Sequence, residues 1–168
     1  LLPSCVSAPD EAPLVPPPTV ETDECGVVIA GIDTLLSAGK TIVLGELHGS
    51  RELPAAAGTV ACVASRRGPV VVGVELPAHD SFDAFLASDG GDAARAALLT
   101  APAWREPMQD GRTSEAMLAL VDRVRRLRQE GRDVELLAFD ARETRTATRD
   151  RAMADLVLAR RAERPDAT

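Results

Sequence analysis

The chain has 168 residues and a net charge of −7, the balance of 19 basic and 26 acidic residues. Aromatic residues make up only 2%, with one Trp and no Tyr. We therefore expect no nucleic-acid partner, because phosphate contacts need clustered positive charge and base stacking needs aromatic rings. No apolar run approaches the roughly 20 residues that span a bilayer, and the three Cys exclude a small disulfide scaffold.

Residues 1–24 differ in composition from the rest of the chain. They combine six Pro with five acidic residues and show no helical or strand period, which is typical of a disordered or extended tether. Leu-Leu-Pro-Ser-Cys at the start resembles the end of a bacterial lipoprotein signal, in which Cys5 would be lipidated. That interpretation predicts an exported, periplasmic or membrane-anchored protein tethered through Cys5. If these residues carry no signal, the protein is cytoplasmic.

Residues 25–168 alternate between helical and strand-like patterns. Short apolar runs at 41–45, 70–76 and 134–139 predict three strands, since a strand covered on both faces is apolar throughout. The clearest helix is at 114–130, where apolar residues recur every three or four positions. The other predicted helices span 27–36, 52–65, 82–86, 93–99 and a last segment from Thr146 or Thr148 to Arg164.

Strands separated by helices of this length pair in parallel, so the predicted fold class is α/β, a parallel sheet core with flanking helices. Three strands make a small sheet with exposed edges, whereas parallel sheets are normally larger and covered. We therefore expect 25–168 to be an incomplete part of a larger α/β domain.

Chemically versatile side chains follow the three predicted strands, where the loops of an open parallel sheet converge on a ligand site. Glu46 and His48 follow the first strand, Glu75 the second and Asp140 the third. A carboxylate two residues from a histidine can orient the imidazole or share a metal with it. Glu75 and Asp140 suit a general base, a metal ligand or an ion-pair partner for Arg. The alternative for each is a purely structural contact, and His79 fits best as a loop residue.

Two further features point to ligand contacts near this edge. Arg142 and Arg149 stand near the first turn of the last helix, where cations are unfavourable for the helix dipole. Their partner is either the acidic pair or an acidic ligand group, and the alternative is a solvated basic face. The turn 109–112 after Trp104 precedes the long helix and could lie over the site as a lid. The candidate substrate-binding residues are Arg149, Asp140, Arg142 and Trp104.

The cysteines and the standard motifs add little. Cys25 and Cys62 are 37 residues apart without the spacing of a metal site, so they form a disulfide in an exported protein or Cys62 is a plain core residue. The chain contains no Gly-x-Gly-x-x-Gly motif, no phosphate-binding Gly-x-x-x-x-Gly-Lys-Ser/Thr and no Gly-x-Ser-x-Gly elbow.

Three segments together resemble the erythromycin esterase-like/ChaN-like superfamily. They are Ile42-Val43-Leu44-Gly45-Glu46-Leu47-His48-Gly49, Val74-Glu75-Leu76-Pro77 and Arg149-Asp150-Arg151-Ala152-Met153-Ala154. The first resembles the group's Gly-Glu-x-His motif, the second its acid after the next strand, and the third its Arg-Asp-x-x-Met-Ala helix start. The resemblance covers roughly residues 27–163 and implies that the chain is the N-terminal half of such a domain, since a later Gly-Asn-x-His-like segment is not among its residues.

The resemblance implies one of two functions. By analogy with the esterase members, His48 would be the general base that activates water for attack on a small-molecule ester, with Glu46 and Glu75 nearby. By analogy with the ChaN-like members, the chain would be a haem- or metal-binding surface lipoprotein without catalysis. A divalent metal would then have Glu46, His48 and Glu75 as candidate ligands, and a homo-oligomer is compatible with either function. A third alternative is a non-catalytic domain whose polar cluster is only structural.

Overall fold

The computed structural model describes residues 20–106, 110–141 and 146–168. The predicted tether through residue 19, including Cys5, lies outside these ranges, as does Arg142. None of the helices within them is long and apolar enough to cross a membrane. The helices are α1 (Ile32–Leu35), α2 (Glu52–Ala64), α3 (Asp80–Leu86), α4 (Asp92–Leu98), α5 (Glu115–Gln129) and α6 (Thr146–Glu163), with a 3-10 helix at Pro102–Arg105. The strands are β1 (Thr22–Asp23), β2 (Gly26–Val27), β3 (Val70–Val74) and β4 (Val134–Ala138).

The central element is a parallel pair of strands, β3 and β4, in register from Val70 opposite Val134 to Val74 opposite Ala138. Residues of β3 alternate between buried and partly exposed positions, and its β-branched side chains suit this pleated surface. The helices α3, α4 and α5 lie between the two strands in sequence, as parallel pairing requires. The predicted α/β class and the second and third predicted strands are therefore confirmed, and the larger domain stays a prediction.

The strand predicted at 41–45 is wrong, because these residues form no regular element. A strand needs a hydrogen-bonded neighbour. The first residues of β3 are already paired on the edge that faces away from β4. The backbone N–H of Val71 donates to the carbonyl oxygen of Thr168 at 3.0 Å, and the Thr168 N–H donates to Pro69 at 3.0 Å. The apolar run at 41–45 instead lies along this edge with several side chains exposed.

A small antiparallel hairpin, β1 and β2, occupies residues 22–27. The sequence assigns residues 22–24 to the tether and residue 27 to a helix, so the hairpin corrects both boundaries. The helix begins later, at Ile32, after Gly31 with a φ of 77°. A disulfide between Cys25 and Cys62 ties the hairpin to α2, which decides between the two alternatives for these cysteines.

The hydrophobic core lies between the sheet and the helices α2, α3 and α5. The helix α5 begins at its Ser114 cap, whose hydroxyl accepts a hydrogen bond from the Met117 N–H at 3.2 Å. It ends before Gly131, whose φ of 80° fits a C-terminal stop. The inward positions of α5 that the periodicity predicts are buried, namely Met117, Leu120, Val121, Val124 and Leu127. This packing fixes the loops that follow β3 and β4.

Candidate functional site

Two carboxylates meet at the carboxyl ends of the central strands. Glu75 follows β3 directly, and Asp140 stands two residues after β4. Beyond the strand ends, the Asp140 backbone N–H donates to the Leu76 carbonyl at 3.0 Å, which holds the two loops side by side. The Asp140 side chain is largely buried, and Glu75 is only partly exposed. Two acids this close repel each other unless cations neutralise them.

Arg149, at the start of α6, bridges both acids. Its Nη2 lies 2.6 Å from Glu75 Oε1, and its Nε donates to Asp140 Oδ1 at 2.8 Å. The hydrogen bond to Glu75, with a further contribution from Asp140, raises the pKa of the Arg149 guanidinium above its ordinary value. The acidic pair is therefore the partner of Arg149 in this structure, one of the two partners that the sequence allowed.

Arg112 completes the cluster from the turn before α5. Its Nη1 donates to Glu75 Oε1 at 2.9 Å and lies 3.7 Å from Asp140 Oδ2. Its Nε donates to Asp110 Oδ2 at 2.8 Å, and its backbone N–H donates to Asp110 Oδ1 at 3.1 Å. These two bonds lower the pKa of Asp110 to about 2. We call Glu75, Asp110, Arg112, Asp140 and Arg149 the ion cluster.

The sequence did not assign Arg112 to the site. It predicted the turn at 109–112 as a possible lid and gave the arginine no role. The signal that identifies it is local, since an Asp-Gly-Arg turn before a capped helix can direct the arginine back over the preceding acid. Its second contact, with Glu75, joins residues 37 positions apart and depends on the tertiary fold.

Glu46 and His48 form a second group. His48 Nδ1 lies 3.8 Å from Glu46 Oε2, a charge contact rather than a hydrogen bond. The His48 side chain is 35% exposed and that of Glu46 is 18% exposed. Glu46 Oε1 is buried, and no hydrogen-bond partner for it is present in the described part of the chain. The imidazole is thus open to solvent beside a carboxylate that retains acceptor capacity.

A close backbone contact joins this group to the ion cluster. Gly49 and Gly111 both have positive φ, 85° and 95°. An ideal β-carbon on residue 111 would lie 2.7 Å from the Gly49 Cα and 2.8 Å from the His48 carbonyl carbon. A side chain at residue 111 would overlap this backbone, whereas a β-carbon on residue 49 would lie at an ordinary 3.7 Å from the Gly111 Cα. The positive φ favours glycine at both positions. His48 is near enough to contribute to the lowered pKa of Asp110, after the larger effects of Arg112.

Trp104 and His79, which the sequence analysis also considered, have structural contacts of their own. Trp104 lies on the 3-10 helix, packs against the hydrophobic core and buries its indole Nε1. His79 caps α3, where its Nδ1 accepts from the Ser81 N–H at 3.1 Å, which agrees with its assignment as a loop residue. Together with Asp140 it borders a cavity of about 360 Å³.

The metal candidates Glu46, His48 and Glu75 do not converge on one point. Across residues 20–106, 110–141 and 146–168 no three His, Cys, Asp or Glu side chains are grouped in a way that could hold a metal ion. Glu75 faces two guanidinium groups instead. The arrangement therefore offers an acid–imidazole pair beside a cluster of three carboxylates and two guanidinium groups. An imidazole beside a carboxylate can transfer protons to and from water.

Comparison with protein-family models, curated proteins and solved structures finds no match.

Proposed function

We propose that the protein is a hydrolase of the erythromycin esterase-like type, with His48 as the general base that activates water. The single observation that carries this proposal is the open His48 imidazole, held 3.8 Å from Glu46 and directly beside the ion cluster. Histidine accepts protons readily near neutral pH, and a neighbouring carboxylate favours the imidazolium that forms when it does so. The resemblance of 42–49 to the esterase motif supports the same role.

Glu46 is the positioning residue of this proposal. Its Oε2 faces His48, and its buried Oε1 has no partner among the described residues. A buried carboxylate oxygen without a donor is costly, by about 1–3 kcal/mol. A water molecule or a substrate hydroxyl can satisfy it, and a water bound there would lie next to the base.

The ion cluster supplies the electrophilic side of the proposed reaction. Glu75 and Asp140 hold the guanidinium groups of Arg112 and Arg149, and both arginine side chains remain partly exposed. An exposed guanidinium N–H can donate to a carbonyl oxygen as it gains negative charge, which is the common way to stabilise an ester-hydrolysis transition state. Glu75 therefore orients arginines in this scheme and does not act as a base.

The test is ester hydrolysis by the full chain, measured with a series of p-nitrophenyl esters. We expect His48→Gln to lower kcat/KM by about 10²–10⁴, the usual contribution of a general base. The matched control is His79→Asn, which changes the other histidine of the chain and keeps an N-cap acceptor for α3. Equal activity in the two variants, or no activity in the unmodified chain, rejects the proposal.

A second measurement separates positioning from loss of fold. Glu46→Gln keeps the shape of the side chain and removes its charge, so kcat should fall by about tenfold with KM little changed. A circular dichroism spectrum and an unfolding midpoint like those of the unmodified chain would show that the fold is retained. A Glu46→Gln enzyme with unmodified kcat would remove Glu46 from the mechanism.

A further inference from the structure

An open apolar groove runs along the edge of β3 that faces away from β4, beside the hydrogen bonds to Thr168. It lies between residues 40–44, α2, β3 and the carboxyl-terminal half of α6, and encloses about 290 Å³. We call it the edge groove. Its floor is aliphatic, and the described side chains that form it include Ile42, Val60, Val72 and Val157. It is separate from the His48 group, although residues 41–45 lead from one to the other.

The groove leaves aliphatic side chains in water. Val43 is 86% exposed, and Leu44 beside it is also exposed. Both belong to a run whose composition predicts full burial. Exposed apolar side chains at the border of a concave apolar site favour ligand binding there.

The charged side chains that line the edge groove in the described part of the chain all have one sign. Lys40, Arg160, Arg161 and Arg164 line it, and no Asp or Glu does so among the described residues, in a chain with a net charge of −7. Arg160 and Arg164 are paired with acids on the far side, chiefly Glu135 and Asp133.

The other two cations have no such partner. Within the described ranges neither Lys40 nor Arg161 forms an ion pair, and Arg161 donates only to the carbonyl oxygen of Gly39, at 3.2 Å. This carbonyl contact places the Arg161 guanidinium beside the residue that precedes Lys40. Two uncompensated cations therefore stand at one end of an aliphatic groove.

We propose that the edge groove binds an amphipathic anion, an unbranched alkyl carboxylate of medium length. The alkyl chain lies along the β3 edge, and the carboxylate faces Lys40 and Arg161. Charge complementarity favours an anionic head group over a neutral one, because only an anion is attracted to the two exposed cations. A volume of about 290 Å³ is at the small end for ligand pockets, which fits a linear chain. This site is independent of the proposed hydrolase function.

The experiment titrates the full chain with decanoate, 1-decanol and acetate by isothermal titration calorimetry. We expect one decanoate per chain, at least tenfold weaker binding of decanol, and no measurable binding of acetate. Equal affinity for decanoate and decanol overturns the proposal, because the cations then contribute nothing. Decanoate uptake that does not saturate at one equivalent also overturns it.

Charge variants then locate the site. Lys40→Gln combined with Arg161→Gln should weaken decanoate binding by at least tenfold. Both positions are exposed, and an unchanged circular dichroism spectrum would show that the fold is retained without the Arg161 bond to Gly39. The control is Arg151→Gln on the same helix, which is 84% exposed and outside the groove, and should bind as the unmodified chain does. Equal weakening in the control rejects the site.

Two further measurements test two alternatives. In the first, decanoate binds at the His48 group, and in the second, a second copy of the chain covers the edge groove. His48→Gln should bind decanoate normally, so that failure of the hydrolase proposal leaves this one standing. Sedimentation should show one species with and without decanoate. A dimer that decanoate dissociates would mean that a second copy of the chain covers the groove, which overturns the assignment of a small-molecule ligand.

Discussion

The contact between Gly49 and Gly111 gives the sharpest test of how the two parts of the site are held together. It joins the loop that carries His48 to the turn that carries Arg112. Gly111→Ala adds one methyl group whose nearest neighbour would be the Gly49 nitrogen, with the Gly49 Cα at 2.7 Å and the His48 carbonyl carbon at 2.8 Å. Neither loop can move without also moving its functional side chain.

The expected loss in the free energy of unfolding of Gly111→Ala has two parts. An L-residue with a positive φ loses about 1–2 kcal/mol, of which the lower entropy of the unfolded chain returns about 0.4–1 kcal/mol. Displacing close-packed backbone adds about 1–3 kcal/mol. Gly111→Ala should therefore lower the free energy of unfolding by about 3 kcal/mol and should also reduce ester hydrolysis, because His48 moves away from the ion cluster.

Two other glycines separate these contributions. Gly131 has a φ of 80° and nothing within 4 Å of an added β-carbon, so Gly131→Ala should cost only about 1 kcal/mol. Gly68 has neither constraint, so only the lower entropy of the unfolded chain remains, and Gly68→Ala should raise the free energy of unfolding by about 0.4–1 kcal/mol. Urea unfolding of the three variants, followed by circular dichroism, measures the series. If Gly111→Ala and Gly131→Ala are equally stable, the loops are not in contact and the reasoning fails.

Two other predictions concern stability. Because the pKa of Asp110 is lowered to about 2, its stabilising contribution is complete above its ordinary pKa near 3.8 and is lost as the pH falls through about 2. The side chain is 46% exposed, so solvent screening limits this contribution to about 1 kcal/mol. The loss of stability in Asp110→Asn should therefore shrink between pH 5 and pH 2. A loss that is constant with pH contradicts the stabilising role of Asp110. The Cys25–Cys62 disulfide closes a segment of 37 residues, so Cys25→Ala with Cys62→Ala should lower the free energy of unfolding by about 4 kcal/mol. A loss below about 1 kcal/mol would show that the hairpin is not held by this bond.

The elements with a regular apolar repeat were predictable, and two of the three apolar runs were correctly predicted as strands. The sequence could not show which of the three runs would fail to pair. The repeat of apolar residues in α5 predicts its burial, because the spacing alone decides which face is inward. The run at 41–45 is as apolar as β3, but whether it pairs depends on a free edge, and Thr168 bonds part of that edge. Pairing between distant segments cannot be inferred from the composition of one of them.

The same distinction applies to the site. The position of Arg149 at a helix start, against the macrodipole, predicts an anionic partner, and Glu75 and Asp140 supply it. The contact of Arg112 with Glu75 depends on how two loops meet and has no local signal. The approach of Gly49 to Gly111 is of the same kind, since a glycine in a loop allows many conformations and specifies none.

The two glutamates of the candidate site have unlike surroundings, and this difference argues for unlike roles. Glu75 Oε1 accepts hydrogen bonds from both Arg112 and Arg149, so this side chain fixes the positions of two cations. Glu46 has one oxygen beside His48 and one buried oxygen without a donor in the described part of the chain. Only Glu46 therefore has free acceptor capacity next to a group that can exchange a proton. If the protein is a hydrolase, Glu46→Gln should reduce turnover through His48, whereas Glu75→Gln should act through the arginines, and a double variant should show nearly additive effects.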